Sequence, residues 1–220
     1  MMPDTPHMLD RAGRWDQALA LLSPEETALR AELLVNRFWW RLQGGAEAEA
    51  AVDALPPEVT AGYLRAQIAY TRLLFGLEPR PDDVRTARRG FERAAGGDGL
   101  AGWGRFWLGV LADNIDEDRR TAGEHYAAAA GHAHDDPLLR SYVLRHQAAH
   151  LLKSDHATAV TLLRRSYVLR AALGARPQTA AAAATLAAAL PPGEESRDLR
   201  ESALLTAEDL KLTWLLDHLR

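Results

Sequence analysis

The chain has 220 residues, a formal net charge of −4 at neutral pH and no cysteine. The lack of cysteine excludes disulfides, thiolate zinc sites and a cysteine nucleophile, and it fits a reducing compartment. The acidic balance gives no support for direct nucleic-acid binding, and no apolar run reaches the length of a membrane-spanning helix.

Helix signals cover nearly the whole chain, and strand signals are absent. The string SPEE predicts a helix start, with Ser23 as the cap, Pro24 in the first turn and Glu26 closing a capping box. This helix is expected to run to Gly44 and Gly45. Further helices are predicted at 46–55, 59–75, 81–95, 101–114, 117–131, 137–152, 155–173, 177–190, 194–205 and 207–219.

A small residue followed four positions later by a large one recurs along the chain. The pairs are Ala18 and Leu22, Ala51 and Leu55, Ala87 and Phe91, Ala122 and Tyr126, and Ala159 and Leu163. Their alanines are 33, 36, 35 and 37 residues apart. A period near 34 residues with two helices in each period predicts stacked helix hairpins.

The pattern resembles the tetratricopeptide repeat (TPR) family. Leu108 and Gly109 in FWLGVL match the Leu-Gly pair of a TPR first helix, and GRWDQAL resembles the start of a second helix. The resemblance implies an all-α fold, a TPR-like α-solenoid of antiparallel helix pairs. We expect a single domain over residues 1–220, with a partial first repeat at 1–22 and a C-terminal capping helix at 207–220. A generic helical bundle is the alternative.

The predicted capping helix, TAEDLKLTWLLDHLR, has an apolar face and a polar face. We expect Thr206 and Asp209 at its N-terminus and Leu210 and Trp214 against the last repeat. The polar face is expected to carry Glu208, Lys211 and His218.

The TPR resemblance implies a concave groove lined by the first helix of each pair, where a peptide or a partner protein binds. The predicted first helices carry eight arginines and few acids away from helix starts, which predicts a basic groove for an acidic segment or the C-terminal carboxylate of a partner. Adjacent tryptophans in NRFWWR point about 100° apart, so one of them is a candidate for the groove. The predicted binding residues are Asn36, Arg37, Trp40, Arg65, Tyr70, Arg72, Arg105, Trp107, Arg145 and His146.

Six of the eight histidines lie between His125 and His156. His146 and His150 are four residues apart, so on a helix they share one face and could bind one metal ion. Gln147 stands where a zinc protease has its glutamate base, and the spacing indicates no third ligand. A helical metal-binding protein is therefore the alternative function, whereas the main prediction includes no metal and no other cofactor.

The string SYVLR occurs twice, at 141–145 and at 166–170. We interpret RRSYVLR as a solvated basic helix face, and we assign no functional role to the repeated string.

Lysine, isoleucine and asparagine are each restricted to two positions, which indicates a GC-rich bacterial genome. The first residues lack the apolar core of a signal peptide. We therefore expect a cytoplasmic, non-enzymatic adaptor, scaffold or regulatory protein. Its expected partner is a protein or peptide, without nucleic acid or membrane, and a homodimer is left open.

Overall fold

The computed structural model describes residues 4–220, and within this range the chain forms thirteen α-helices and no strand. The helices are α1 (Thr5–Arg11), α2 (Trp15–Leu21), α3 (Thr27–Arg41), α4 (Gly45–Asp53), α5 (Val59–Phe75), α6 (Asp83–Ala95), α7 (Ala101–Asn114), α8 (Arg119–His132), α9 (Pro137–Leu151), α10 (His156–Ala172), α11 (Arg176–Ala189), α12 (Glu194–Leu210) and α13 (Thr213–Leu219). Of these helices, none combines the length and the apolar character needed to cross a membrane.

The helices divide into two compact units, named here for their places in the sequence. The central unit comprises residues 22–139, and the terminal unit comprises residues up to 21 together with 140–220. The polypeptide passes from one unit to the other inside α9, between Leu139 and Arg140.

The central unit consists of consecutive helix hairpins. Helix α3 packs on α4, α5 on α6, and α7 on α8, while α5 also contacts α3 and α7. Glycines let these helices approach closely, because a Cβ added at Gly90 would lie 2.5 Å from Ala66 Cβ and one at Gly109 would lie 2.6 Å from Tyr126. This packing of consecutive pairs is consistent with a helical solenoid.

The terminal unit brings the two ends of the polypeptide together. An added Cβ at Gly13 would lie 2.8 Å from Leu210 Cδ1 and 2.9 Å from Pro177 Cγ. Arg14 and Arg176 each donate to Asp209 Oδ2 at 2.9 Å. The segment that contains α1 and α2 thus packs on the start of α11 and the end of α12.

Burial confirms three of the five predicted small–large pairs. Ala87, Phe91, Ala122 and Tyr126 are fully buried, as are Ala159 and Leu163 to within 2%. In a fourth, Ala18 is fully buried, but Leu22 lies beyond the end of α2 and is only half-buried. In α4 the fully buried pair is Ala48 and Val52, so the predicted pair of Ala51 and Leu55 is wrong. The reason is that α4 ends at Asp53, which leaves Leu55 beyond the helix.

The largest differences from the predicted helix ends lie at the start of α3 and between α12 and α13. Helix α3 begins at Thr27, because residues 23–26 form a turn. Only half of the predicted capping box exists there: the Ser23 N–H donates to Glu26 Oε2 at 2.7 Å. Near the C-terminus α12 continues through Thr206 to Leu210, and the break falls at Lys211 in the left-handed conformation.

The continuation of α12 has a packing cause. Ala203, Ala207 and Leu210 form one buried stripe at helical spacing, and burial of this stripe outweighs the local capping tendency of Thr206. The predicted polar positions Glu208, Lys211 and His218 are exposed, and Leu210 is buried.

Candidate binding surfaces

Aromatic side chains from four helices form a continuous cluster in the central unit. Trp39 stacks on Tyr70 with ring centroids 5.9 Å apart, and Trp107 contacts both rings edge-on at 5.5 Å. Phe91 stacks on Trp107 with ring centroids 5.6 Å apart. Aromatic pairs at these separations are attractive beyond the burial of their area, so the cluster ties α3, α5, α6 and α7 together.

The polar atoms of Trp107 and Tyr70 form hydrogen bonds within the central unit. Trp107 Nε1 donates to Tyr63 Oη at 2.9 Å, and Asn114 Nδ2 donates to Tyr70 Oη at 2.7 Å. Buried polar atoms of this kind favour one packing arrangement when their hydrogen bonds are formed.

The three predicted aromatic binding residues therefore belong to the core. Trp40 is 4% exposed, Tyr70 is fully buried and Trp107 is 7% exposed. They present almost no surface to a partner, which corrects the expectation of an aromatic groove wall. The half-buried member of the tryptophan pair is Trp39, which the sequence pattern did not single out.

Two predicted arginines of α5 line a different feature, a cleft of about 200 Å³ between α4, α5 and α6. Arg65 and Arg72 are seven residues apart and share one face of α5, whereas Tyr63 and Tyr70 share another. Arg65 Nη2 donates to Asp53 Oδ1 at 2.8 Å. The remaining charges in the cleft are Glu49, Arg80, Asp82 and Asp83.

The deepest ion pair in the cleft joins Arg72 and Asp83. Arg72 Nε donates to Asp83 Oδ2 at 2.9 Å, and its other nitrogens bind Asp83 and Glu49. Burial raises the pKa of Asp83, but the hydrogen bonds from Arg72 and from the Arg80 N–H outweigh it and leave the pKa below its ordinary value. The hydrogen bond with Asp83 raises the pKa of Arg72. Both groups are therefore held in their charged forms.

A continuous basic wall is not formed by the predicted arginines. Arg37 pairs with Glu47 of α4, just as Arg65 and Arg72 pair with acids of α4 and α6. These acids lie on second helices, outside the set whose charge predicted a basic groove. Arg105 lies on α7, where its charge acts on His125, whose pKa is lowered first by burial and then by Arg105. Asn36 is half-buried on α3.

Two other predicted residues, Arg145 and His146, are in contact in the terminal unit. Arg145 Nη1 lies 3.1 Å from His146 Nε2. A guanidinium can only donate, so this contact needs a neutral imidazole that accepts at Nε2. Burial lowers the pKa of His146 well below its ordinary value, and the positive charges of Arg145 and Arg170 and the neighbouring His150 lower it further.

The surroundings of His146 oppose the metal-binding alternative. Its Nε2 is occupied by a guanidinium, and Arg170 adds a second positive charge nearby. The six clustered histidines are divided, since His125, His132 and His134 belong to the central unit and the others to the terminal unit. Over residues 4–220, no three His, Asp or Glu side chains are placed to hold a metal ion.

The two copies of SYVLR meet in the terminal unit. Ser166 Oγ donates to the Ser141 carbonyl oxygen at 2.6 Å, and Arg170 Nε donates to Ser141 Oγ at 3.1 Å. Arg170 is 2% exposed, so the interpretation of RRSYVLR as a wholly solvated face is wrong for this residue. The repeated string marks both segments in the sequence, but nothing in its spacing predicts that they are in contact.

Arg170 is buried, and no carboxylate of residues 4–220 pairs with it. Its guanidinium lies 4.3 Å from the Tyr142 ring centroid, and its Nη1 donates to the Gln178 carbonyl oxygen at 3.0 Å. Its Nη2 has no hydrogen-bond partner in the part of the chain that the structure describes. Burial lowers the pKa of Arg170 to about 10, which still leaves it charged at neutral pH.

No protein-family model, no curated protein and no solved structure matches this sequence.

Proposed function

We propose that the protein is a non-catalytic protein-binding module built from TPR-like helix pairs, which serves as an adaptor, scaffold or regulatory protein in a bacterial cytoplasm. The observation that carries the proposal is the series of consecutive hairpins joined by close-packed small residues. Each hairpin contributes side chains to surfaces that no single helix could form, and repeat proteins use such extended surfaces for partners.

The partner surface that we propose includes Arg37, Arg65 and Arg105, which are accessible in part. The acids that pair with Arg37 and Arg65 are well exposed, with side-chain accessibilities of 59% for Glu47 and 68% for Asp53. Exposed ion pairs contribute little stability, so carboxylates of a partner can replace these two acids at low cost. An acidic peptide segment or the C-terminal carboxylate of a partner fits this chemistry.

The proposal is tested with a triple variant, Arg37→Gln, Arg65→Gln and Arg105→Gln, in the full-length tagged protein. We expect the variant to lose a partner that the parent protein captures from a lysate of its source cells, and capture by the parent to weaken as salt rises. The matched control is Arg85→Gln, Arg89→Gln and Arg93→Gln, which removes the same charge from exposed positions of α6.

Circular dichroism and thermal melting establish that both variants fold. Equal capture by the parent, the triple variant and the control would contradict the proposed surface. A parent protein that captures no partner at any salt concentration would contradict the proposed function itself.

A further inference from the structure

The outer face of α6 carries a row of arginines. Arg85, Arg89 and Arg93 recur every four residues, so they share one narrow face of the helix and follow one another about 6 Å apart along its axis. All three are exposed, on the side opposite the buried Phe91. Glu92 lies beside this α6 row, but none of the three arginines forms an ion pair with any residue from 4 to 220.

The outer face of α12 carries a row of opposite charge. Asp198, Glu201, Leu205 and Glu208 follow one another at alternating spacings of three and four residues, so they share the face opposite the buried Ala203. All four are exposed, and the Leu205 side chain is 60% exposed. The three acids of this α12 row form no ion pair within the described residues.

The helix dipole does not account for the two rows. It favours acids in the first turn of a helix and bases in the last turn, and it acts only there. Arg85 lies in the first turn of α6 and Glu208 in the last turn of α12, each at the end that disfavours its charge. Of the six charges, the dipole favours Arg93 alone. Because like charges at this spacing repel, each row destabilises its own helix until an opposite charge lies against it.

The two rows match in length as well as in sign. The α6 row spans about 12 Å and the α12 row about 15 Å along the helix axis. When the two helices lie side by side, each arginine can donate to one carboxylate. The aliphatic stems of the arginines can then cover Leu205, since such stems pack on apolar surface while the charged group remains outside.

From this match we infer that the α6 row of one copy of the protein binds the α12 row of a second copy. The complementary charge identifies the occupant, because the same chain presents both rows and neither is neutralised within residues 4–220. The contact joins two different faces, so it is heterologous and builds closed rings or open chains of copies. It uses neither Arg37, Arg65 nor Arg105, and the inference therefore goes beyond the proposed function.

Sedimentation velocity of the full-length protein tests the association and its salt dependence. We expect species larger than one chain at about 0.01 M salt, and a dissociation constant at least about ten-fold higher at about 0.15 M, because the Debye length shortens from about 30 Å to about 8 Å. A single-chain mass at every protein concentration would overturn the inference. So would association that salt does not weaken, which is the behaviour of an apolar contact.

Two complementary charge reversals make the test specific. The first reverses the α6 row, with Arg85→Glu, Arg89→Glu and Arg93→Glu, and the second reverses the α12 row, with Asp198→Lys, Glu201→Lys and Glu208→Lys. Each variant alone is expected to remain a monomer, because its two rows then carry the same sign. An equimolar mixture should associate again, because the first variant retains the acidic row and the second retains the arginines. Variants that associate alone, or that remain monomers when mixed, would overturn the inference.

The matched control makes the same change in net charge as the first reversal, at exposed arginines outside both rows. Its substitutions are Arg11→Glu, Arg140→Glu and Arg165→Glu. Melting curves verify that all variants are folded, and the control should associate like the parent. An equal loss of association in the control would show that net charge, and not the rows, governs the effect. The Arg85→Gln, Arg89→Gln and Arg93→Gln variant should remain a monomer yet still capture the partner, so failure of the inference and failure of the proposed function are observed separately.

Discussion

At the scale of single residues, the terminal unit contains a buried arginine, Arg170, that the sequence pattern predicted to be exposed to solvent. Arg170 stacks on Tyr142 and donates to Ser141 and Gln178, but none of the described residues offers it a carboxylate. The planar guanidinium stacks on the ring and donates hydrogen bonds in several directions at once. An ammonium group cannot reproduce this combination.

The first prediction concerns this geometry. Arg170→Lys keeps the charge but loses the stack and at least one hydrogen bond, so we expect the free energy of unfolding to fall by about 1–3 kcal/mol. Urea denaturation measures the change. The control is Arg164→Lys, which changes an exposed ion pair on the same helix. Its free energy of unfolding should stay close to that of the parent. Equal stability of the Arg170→Lys variant and the parent would show that the stack and the hydrogen bonds contribute nothing.

The second prediction concerns pH. The folded-state pKa of His146 lies well below 6.5, so below pH 6.5 the unfolded state binds a proton that the folded state does not. The contribution of His146 to the free energy of unfolding is therefore fully present above that pH. It is lost as the pH falls, by at most about 1.4 kcal/mol per pH unit. We expect His146→Gln to reduce the loss of unfolding free energy between about pH 7.5 and pH 5.

His125 contributes to the same slope, because burial also lowers its pKa, so some pH dependence should persist in the His146→Gln variant. His134, whose side chain is 93% exposed, provides the control, and His134→Gln should retain the parent's pH dependence. A slope unchanged by His146→Gln would show that the imidazole is protonated equally in both states.

At the scale of helices, close approach depends on particular glycines. A Cβ at Gly90 would lie 2.5 Å from both Ala66 Cβ and the Gly62 carbonyl oxygen, where α5 and α6 meet. We expect Gly90→Ala to lower the free energy of unfolding by about 1–3 kcal/mol through overpacking.

Gly131 of α8 provides the opposite case, because among residues 4–220 an added Cβ there would have no atom within 4 Å apart from its chain neighbours and the backbone of its own helix. Gly131→Ala should raise stability by up to about 1 kcal/mol, since alanine favours the helix. Thermal and urea melts of the two variants should thus differ in sign. Similar effects at the two positions would contradict the α5–α6 contact.

Helix positions were largely predictable from the sequence, whereas partners of side chains were not. Gly76 and the Pro81–Asp83 segment end and start helices through backbone preferences that act locally. The end of α12 was misplaced because a buried stripe, which only packing defines, overrides the signal at Thr206. The candidate site was misjudged for a similar reason: Arg65, Arg72 and Tyr70 share a helix, yet spacing alone could not show which face meets Asp53 and Asp83.

At the scale of the whole molecule, the two ends of the polypeptide belong to one unit. Trp15 is 1% exposed and Ala18 is fully buried, and Gly13 packs on Leu210 and Pro177. Trp15 Nε1 also donates to Asp10 Oδ1 at 2.9 Å, which fixes the turn between α1 and α2. In a strictly linear array, by contrast, the first helices would stabilise only the repeat that follows them in sequence.

The last prediction follows from this difference. Deleting residues 1–21 uncovers Leu210 and Pro177, so the terminal unit should lose stability while the central unit retains its own packing. Hydrogen exchange followed by mass spectrometry resolves the two, because local opening reports the stability of each segment. We expect faster exchange in α11 and α12 and unchanged protection in α5 to α8. The milder variant Arg14→Gln, which breaks only the exposed pair with Asp209, should leave both patterns close to those of the parent. Faster exchange confined to α3 and α4 would instead assign the N-terminal helices to the repeat that follows them.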